Sequence, residues 1–184
     1  MAMEGDVMDA RMRGFTLVEQ MLVVAISAVL LVVALPALGP LVERHRAGTA
    51  MSTLSTQMQL TRMAAITYRR PAVLCPSHNG SACDGGTDWS IGWLVFLDVD
   101  GNQQPDSADQ ILRVEPGTAA RSGMRLVGTV GRPRLRYLPD GRSAGSNLTV
   151  SVCSAEGALL GAVIVNNVGR PRSFRPASPA ACPG

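Results

Sequence analysis

The sequence predicts an α+β protein: one long N-terminal helix followed by a β-rich globular domain. Three observations predict it. Residues 14–38, GFTLVEQMLVVAISAVLLVVALPAL, are apolar almost throughout. The stretch from there to Pro71 mixes apolar and polar residues at helical spacing. From Ala72 onward, short apolar runs alternate with Gly, Pro, Asn and Asp clusters, the pattern of strands separated by turns.

The helix is expected over residues 15–70. Residues 1–13, MAMEGDVMDARMR, are polar and carry Arg11 and Arg13 at their end. From Met21 to Val42 the chain is uncharged for about 22 residues, enough to cross a hydrocarbon core of roughly 30 Å. No small-residue cleavage site follows, which sets the run apart from a removable secretory signal. The two arginines before it favour a cytoplasmic N-terminus. Pro36 and Pro40 interrupt the run, and each removes a helical hydrogen bond. The second half, VERHRAGTAMSTLSTQMQLTRMAAITYRR, reads as amphipathic, with Leu54, Met58, Leu60, Met63, Ala64 and Ile66 approximating one apolar face. Pro71 stops it.

Glu19 is out of place in this helix. A carboxylate at membrane depth costs about 3 kcal/mol on insertion scales, so such a residue needs a functional reason.

The β-rich domain is expected over 72–184. Its strand candidates are AVLC, WSIGWLVFLD, QILRVE, MRLVGTV, LRYLP, NLTVSVC and LLGAVIVNN. The last segment, GRPRSFRPASPAACPG (169–184), is too rich in Pro for a central strand and is expected to form an ordered loop or tail.

Charge is distributed unevenly. All 17 basic residues are Arg. Between Arg113 and Arg175 ten arginines face three acids, Glu115, Asp140 and Glu156, a net of +7 in a third of the chain. Residues 84–109 hold six Asp and no base. A basic C-terminal third suggests an anionic partner.

Four cysteines, Cys75, Cys83, Cys153 and Cys182, allow three pairings. Cys75–Cys83 and Cys153–Cys182 are favoured, the first because it is local, the second because it ties down the Pro-rich tail. Disulfides place the domain in an oxidising compartment. With no CxxC and only His45 and His78, no metal site is expected. Asp98, Asp100, Asn102, Asp106 and Asp109 begin like a calcium loop, but Gln103 and Asp109 stand where Gly and Glu would be needed. No nucleophile elbow or triad signature is visible, so no enzyme and no cofactor is expected.

Gly14-Phe-Thr-Leu-Val-Glu19, with a basic leader before it and an apolar run after it, resembles the processing site of type IV pilins and pseudopilins. The resemblance implies that a prepilin peptidase removes the leader 1–14 by cutting after Gly14, and that Phe15 becomes N-methylated. The apolar helix stays on the protein. Glu19 would then neutralise the new amine of a neighbouring subunit in a filament, where paired charges are far less costly than lone ones. The segment Asp88-Trp-Ser-Ile-Gly-Trp-Leu-Val-Phe-Leu-Asp98, followed by an acidic loop and Gln-Ile-Leu-Arg-Val, is similar to the globular domain of the GspH/FimT family. Trp89, Gly92, Trp93, Phe96, Asp98 and Arg113 match it in order. This implies a pilin-like fold, the helix packed against two antiparallel sheets. The implied setting is the inner membrane with an external globular domain, then a pilus containing other major and minor pilins.

Val168-Gly-Arg-Pro-Arg172 resembles the G-R-x-R motif near the C-terminus of FimT-type minor pilins, some of which bind DNA in natural transformation. Arg170 and Arg172 are thereby candidate DNA contacts, with Arg175 in the same loop. Gly131-Arg-Pro-Arg repeats the tetrapeptide, and Arg132, Arg134 and Arg136 would share one strand face. Arg142 follows in a turn. Guanidinium forks suit phosphate oxygens, and with few aromatics nearby the expected mode is sequence-independent backbone binding. The alternative is a structural pseudopilin of a type II secretion system, or a pilus-priming subunit, without DNA binding.

Overall fold

The computed structural model describes residues 15–183, apart from the side chains at 33–37, 118 and 121. The leader 1–14, with Arg11, Arg13 and Gly14, lies outside the described residues. The chain forms two compact units, Met1–Leu41 and Val42–Gly184. Helix α1, Leu17–Tyr68, contributes to both.

In the first unit, Thr16 caps the helix. The Glu19 N–H donates to Thr16 Oγ1 at 3.2 Å, and the Gln20 N–H to the Thr16 carbonyl at 3.1 Å. A threonine three residues before a glutamate is the spacing of a capping box, in which the hydroxyl satisfies a free N–H of the first turn. Phe15, Leu17, Val18, Met21, Leu22 and Val24 are all exposed, as are the apolar residues after them to Val32. Apolar side chains thus cover the whole circumference, the character of a helix surrounded by lipid or by other helices. Among the described residues no helix is long and apolar enough to cross a membrane. The expected span 21–42 includes the side chains at 33–37, which lie outside the description.

In the second unit, α1 buries a stripe formed by Ala47, Met51, Leu54, Met58, Thr61 and Ala65. The steps alternate between three and four residues, which keeps one face on the sheets. Of the face read in the sequence, Leu54, Met58 and Ala64 are buried, and the other three residues are not. Leu60, Met63 and Ile66 are 38%, 65% and 47% exposed. The register is carried instead by Thr61, whose hydroxyl donates to the Gln57 carbonyl at 2.7 Å and so enters the core already hydrogen-bonded.

Eight strands follow. The first sheet has the order β3-β2-β1-β5, with β1 Ala72–Pro76, β2 Gly92–Leu97, β3 Ile111–Pro116 and β5 Leu135–Tyr137. The second has the order β4-β6-β7-β8, with β4 Arg125–Gly128, β6 Leu148–Cys153, β7 Leu159–Val165 and β8 Pro171–Phe174. Every pairing is antiparallel. One turn of helix, α2, spans Thr118–Arg121. Seven strands coincide with the seven apolar runs. The eighth corrects the expectation of a loop for 171–174: Pro171 is the first residue of an edge strand, where its missing N–H breaks no ladder bond.

The main core joins the α1 stripe to Leu74, Trp93 and Val95 of the first sheet and to Leu126, Val150, Val152 and Val163 of the second. A smaller cluster, Val73, Cys75, Cys83, Leu94 and Phe96, lies on the opposite face of the first sheet. The Cys75–Cys83 disulfide sits within it. The acidic loop is fastened alongside: Gln104 accepts from the Cys83 N–H at 2.8 Å and donates to the Cys83 carbonyl at 3.2 Å.

Leu54→Ala should destabilise the β-rich unit by about 2–5 kcal/mol, whereas Leu60→Ala should stay within about 0.5 kcal/mol. Chemical denaturation followed by the fluorescence of the buried Trp89 and Trp93 distinguishes the two.

Candidate nucleic-acid interface

The arginine-bearing segment is positioned by two glycines and a tyrosine. Chain reversal between β7 and β8 runs through Asn166, Asn167 and Val168 to Gly169, at φ 81°. The Gly169 N–H donates to the Asn166 carbonyl at 2.8 Å. This turn rests on the turn after β5. A Cβ at Gly169 would collide with the Gly141 carbonyl and come within 2.9 Å of the Tyr137 ring. Gly141, at φ 79°, lies beneath the side-chain ends of Ile66 and Arg62 of α1, 2.9 and 3.1 Å from a Cβ placed there. The left-handed conformation favours glycine at both positions, and the backbone carbonyl adds a collision at Gly169.

Hydrogen bonds lock the junction. The buried Tyr137 hydroxyl donates to the Gly169 carbonyl at 3.1 Å, the Ser143 N–H to the Asn167 carbonyl at 3.1 Å, and Arg62 Nε to the Gly141 carbonyl at 2.8 Å. Burial pushes the Tyr137 phenol well above its ordinary pKa, with the Arg62 charge pulling the other way. The hydroxyl is therefore a protonated donor throughout the physiological range.

Downstream, the segment is held by β8 and by the Cys153–Cys182 disulfide, whose Cα atoms are 5.8 Å apart. The Leu159 N–H donates to the Ala180 carbonyl and the Cys182 N–H to the Gly157 carbonyl, both at 2.8 Å. Residues 170–175 thus run between two fixed points.

The candidate arginines fall into separate groups. Arg170 is exposed at the entrance to β8. Arg172 lies within β8, paired in register with Ile164, and is exposed on the face of the second sheet that points away from α1. Phe174 shares that face. Arg175 is not brought beside them: its Nη2 is 2.8 Å from where a Gly48 Cβ would stand, so it reaches back to α1. Arg142 is next to the Gly141–Gly169 junction, but its Nε is 2.7 Å from Asp140 Oδ2. The Arg142 backbone and side-chain hydrogen bonds hold the Asp140 carboxyl below its usual pKa.

Arg132, Arg134 and Arg136 converge on one cleft with Gln103 and Gly145, about 490 Å³ in volume. Only Arg136 lies in β5. Arg134 Nη1 donates to the Gln103 carbonyl at 2.7 Å. Arg136 Nε lies 3.3 Å from Oδ2 of the buried Asp98, an ion pair without hydrogen-bond alignment, while Asp98 Oδ1 accepts the Gln103 N–H at 3.0 Å. Two of the three are thus engaged with the acidic loop. Within that loop the Asn102 side chain donates to Asp100 at 2.8 Å and to Asp106 at 3.0 Å, so these carboxylates are tied to an amide.

Arg62 and Thr16 were not among the expected site residues. Arg62 is separated from Gly141 by 79 positions, and no sequence pattern points to that contact. Thr16 was legible: its spacing to Glu19 is a capping signal.

A helix stripe packed on two four-stranded antiparallel sheets, behind an apolar helical extension, defines a pilin-like protein. The family model described as Type II transport protein GspH matches residues 50–169, and the prokaryotic N-terminal methylation motif matches residues 9–35. The chain belongs to the GspH family of minor pilins and pseudopilins. The pilin-like protein PilA1 of Thermus thermophilus is 29% identical over 163 residues, 87% of this chain and 97% of that protein. The crystal structure of the type IV minor pilin FimU of Pseudomonas aeruginosa superposes with a TM-score of 0.57 at 18% identity, covering 78% of this chain and all of that one, 100%. The minor pseudopilin EpsH of Vibrio cholerae gives 0.49 at 13%, over 72% of this chain and 98% of that one.

Tyr137→Phe should cost about 1 kcal/mol, the value of one buried hydrogen bond, and Gly169→Ala more than that, since strain and collision combine. Equilibrium unfolding measures both, and hydrogen exchange at Arg172 and Ser173 should report a loosened hairpin in each.

Proposed function

We propose that this chain is a minor pilin of a type IV pilus that binds DNA, without sequence preference, through Arg170 and Arg172. The observation that carries the reading is the pair itself. Both are exposed on a hairpin fixed by Tyr137, Gly141 and the Cys153–Cys182 bridge, and neither is ion-paired with a described carboxylate. Fixing the backbone beforehand lowers the entropy lost on binding. Arg142, beside the Gly141–Gly169 junction, extends the positive field once Asp140 is displaced or screened, and Arg175 contributes only from its place against α1. Arg132, Arg134 and Arg136 add to that field from their cleft.

The N-terminal half supports assembly. Prepilin peptidase would cut after Gly14, leaving an N-methylated Phe15 one residue before the Thr16 cap. Residues 21–42 would anchor the subunit in the inner membrane, with the disulfide-bearing domain outside, until the helix enters a filament of major and minor pilins. There Glu19, exposed in the isolated chain, would meet the Phe15 amine of a neighbour. The native protein should begin at Phe15 by mass spectrometry, and Glu19→Gln should enter filaments poorly in pilus preparations.

The GspH model match favours one second reading, a structural pseudopilin of a type II secretion system. Titration of labelled duplex by the full chain in detergent separates the two. Under the DNA reading, log affinity falls with log salt at about −0.9 per phosphate contacted. Arg170→Ala with Arg172→Ala should weaken binding more than about tenfold and lower the slope by about 2. Equal binding by wild type and double variant would remove the assigned pair.

A further inference from the structure

The cleft between β5 and the acidic loop holds more positive charge than its own fold neutralises. Three guanidiniums, those of Arg132, Arg134 and Arg136, line it, and Asp98 is the one carboxylate ion-paired there among the described residues. Arg134 and Arg136 have structural partners in the Gln103 carbonyl and Asp98. Arg132 differs. Its Nε is buried and has no hydrogen-bond partner.

Arg132 is also held in place. Gly145, at φ 86°, leaves its missing side chain's space to the Arg132 guanidinium, which presses against it. Gly131, at φ 78°, turns the chain immediately before. Burial lowers the Arg132 pKa from its ordinary value, the mark of a cation that has lost water without gaining a carboxylate. A guanidinium left half-buried and unpaired is costly, and an oxyanion accepting from its planar fork removes the cost.

We propose that this cleft is a binding site for one phosphate-class oxyanion, with Arg132 as the principal ligand and Arg134 and Arg136 supplying further donors. The site is separate from the exposed arginines of β8 and does not depend on their role. The oxyanion would be either a free phosphate group or a phosphodiester of a nucleic-acid backbone. A tetrahedral oxyanion offers enough acceptor atoms for the terminal Arg132 nitrogens and for the nitrogens of its neighbours that Gln103 and Asp98 leave unused.

The test is thermal unfolding of the full chain in detergent, with inorganic phosphate titrated against chloride at matched ionic strength. Phosphate should raise the midpoint above the chloride control, as a ligand that binds only the folded state does. Arg132→Gln should raise the half-saturating phosphate concentration about tenfold or more, since a charge-assisted contact is lost, whereas Arg125→Ala, at an exposed arginine of β4 outside both arginine groups, should leave it unchanged. In the wild type, the Arg132 Nε–H resonance should shift with phosphate, a readout that holds even if the variant folds poorly. The same protection by a dinucleoside phosphodiester identifies a backbone phosphate as the source; protection by inorganic phosphate alone identifies a free one. No difference between phosphate and chloride together with an unmoved Arg132 resonance, or full protection retained in folded Arg132→Gln, overturns the proposal. Failure of Arg170 and Arg172 to bind duplex leaves it standing.

Discussion

The hydroxyl of Tyr137 meeting the carbonyl of Gly169 is the contact on which the exposed arginines depend. It joins the last strand of the first sheet to the last hairpin of the second. Around it, the Gly141 carbonyl occupies the space a side chain on Gly169 would need, and Arg62 closes the junction from the helix. Helix and both sheets therefore meet at one buried point. Because the phenol is buried, the bond has no water to compete with it. The placement of Arg170 follows from this junction.

Much of the fold was legible in the chain. Seven apolar runs bounded by Gly, Pro and Asn became seven strands, because short apolar runs closed off by breakers are too brief for helices and fit strands. The two disulfides joined the pairs that locality and the loose tail favoured. The buried face of α1 was less legible. Leu60, Met63 and Ile66 are hydrophobic yet exposed, and Thr61 is polar yet buried. Hydropathy cannot see that the Thr61 hydroxyl is satisfied by its own helix. The strand at 171–174 was hidden for a different reason: Pro171 is excluded from a sheet interior but not from the start of an edge.

The site was legible as composition and only partly as geometry. Sequence showed a surplus of arginine and two copies of Gly-Arg-Pro-Arg. It could not show that the copies differ in environment. In the second copy the arginines are exposed at a sheet edge; in the first, Arg132 and Arg134 are half-buried beside the acidic loop. The acidic middle and basic third, read as a sign of an anionic partner, are partly partners of each other: Asp98 and Gln103 secure Arg136 and Arg134. Such pairings link segments some thirty positions apart and leave no periodic trace. The GspH family match ends at residue 169, immediately before Arg170 and Arg172.

The position of β8 at the rim of its sheet has a consequence for crowding. An open rim displays amides and carbonyls that can recruit a strand from another chain, and a fibre packs many copies of one subunit side by side. Here the rim strand begins with a residue lacking an amide hydrogen and carries a fixed positive charge one step further on. Both features discourage sheet-to-sheet adhesion. The proline and the charge that open this strand thereby keep other strands from zipping onto its edge.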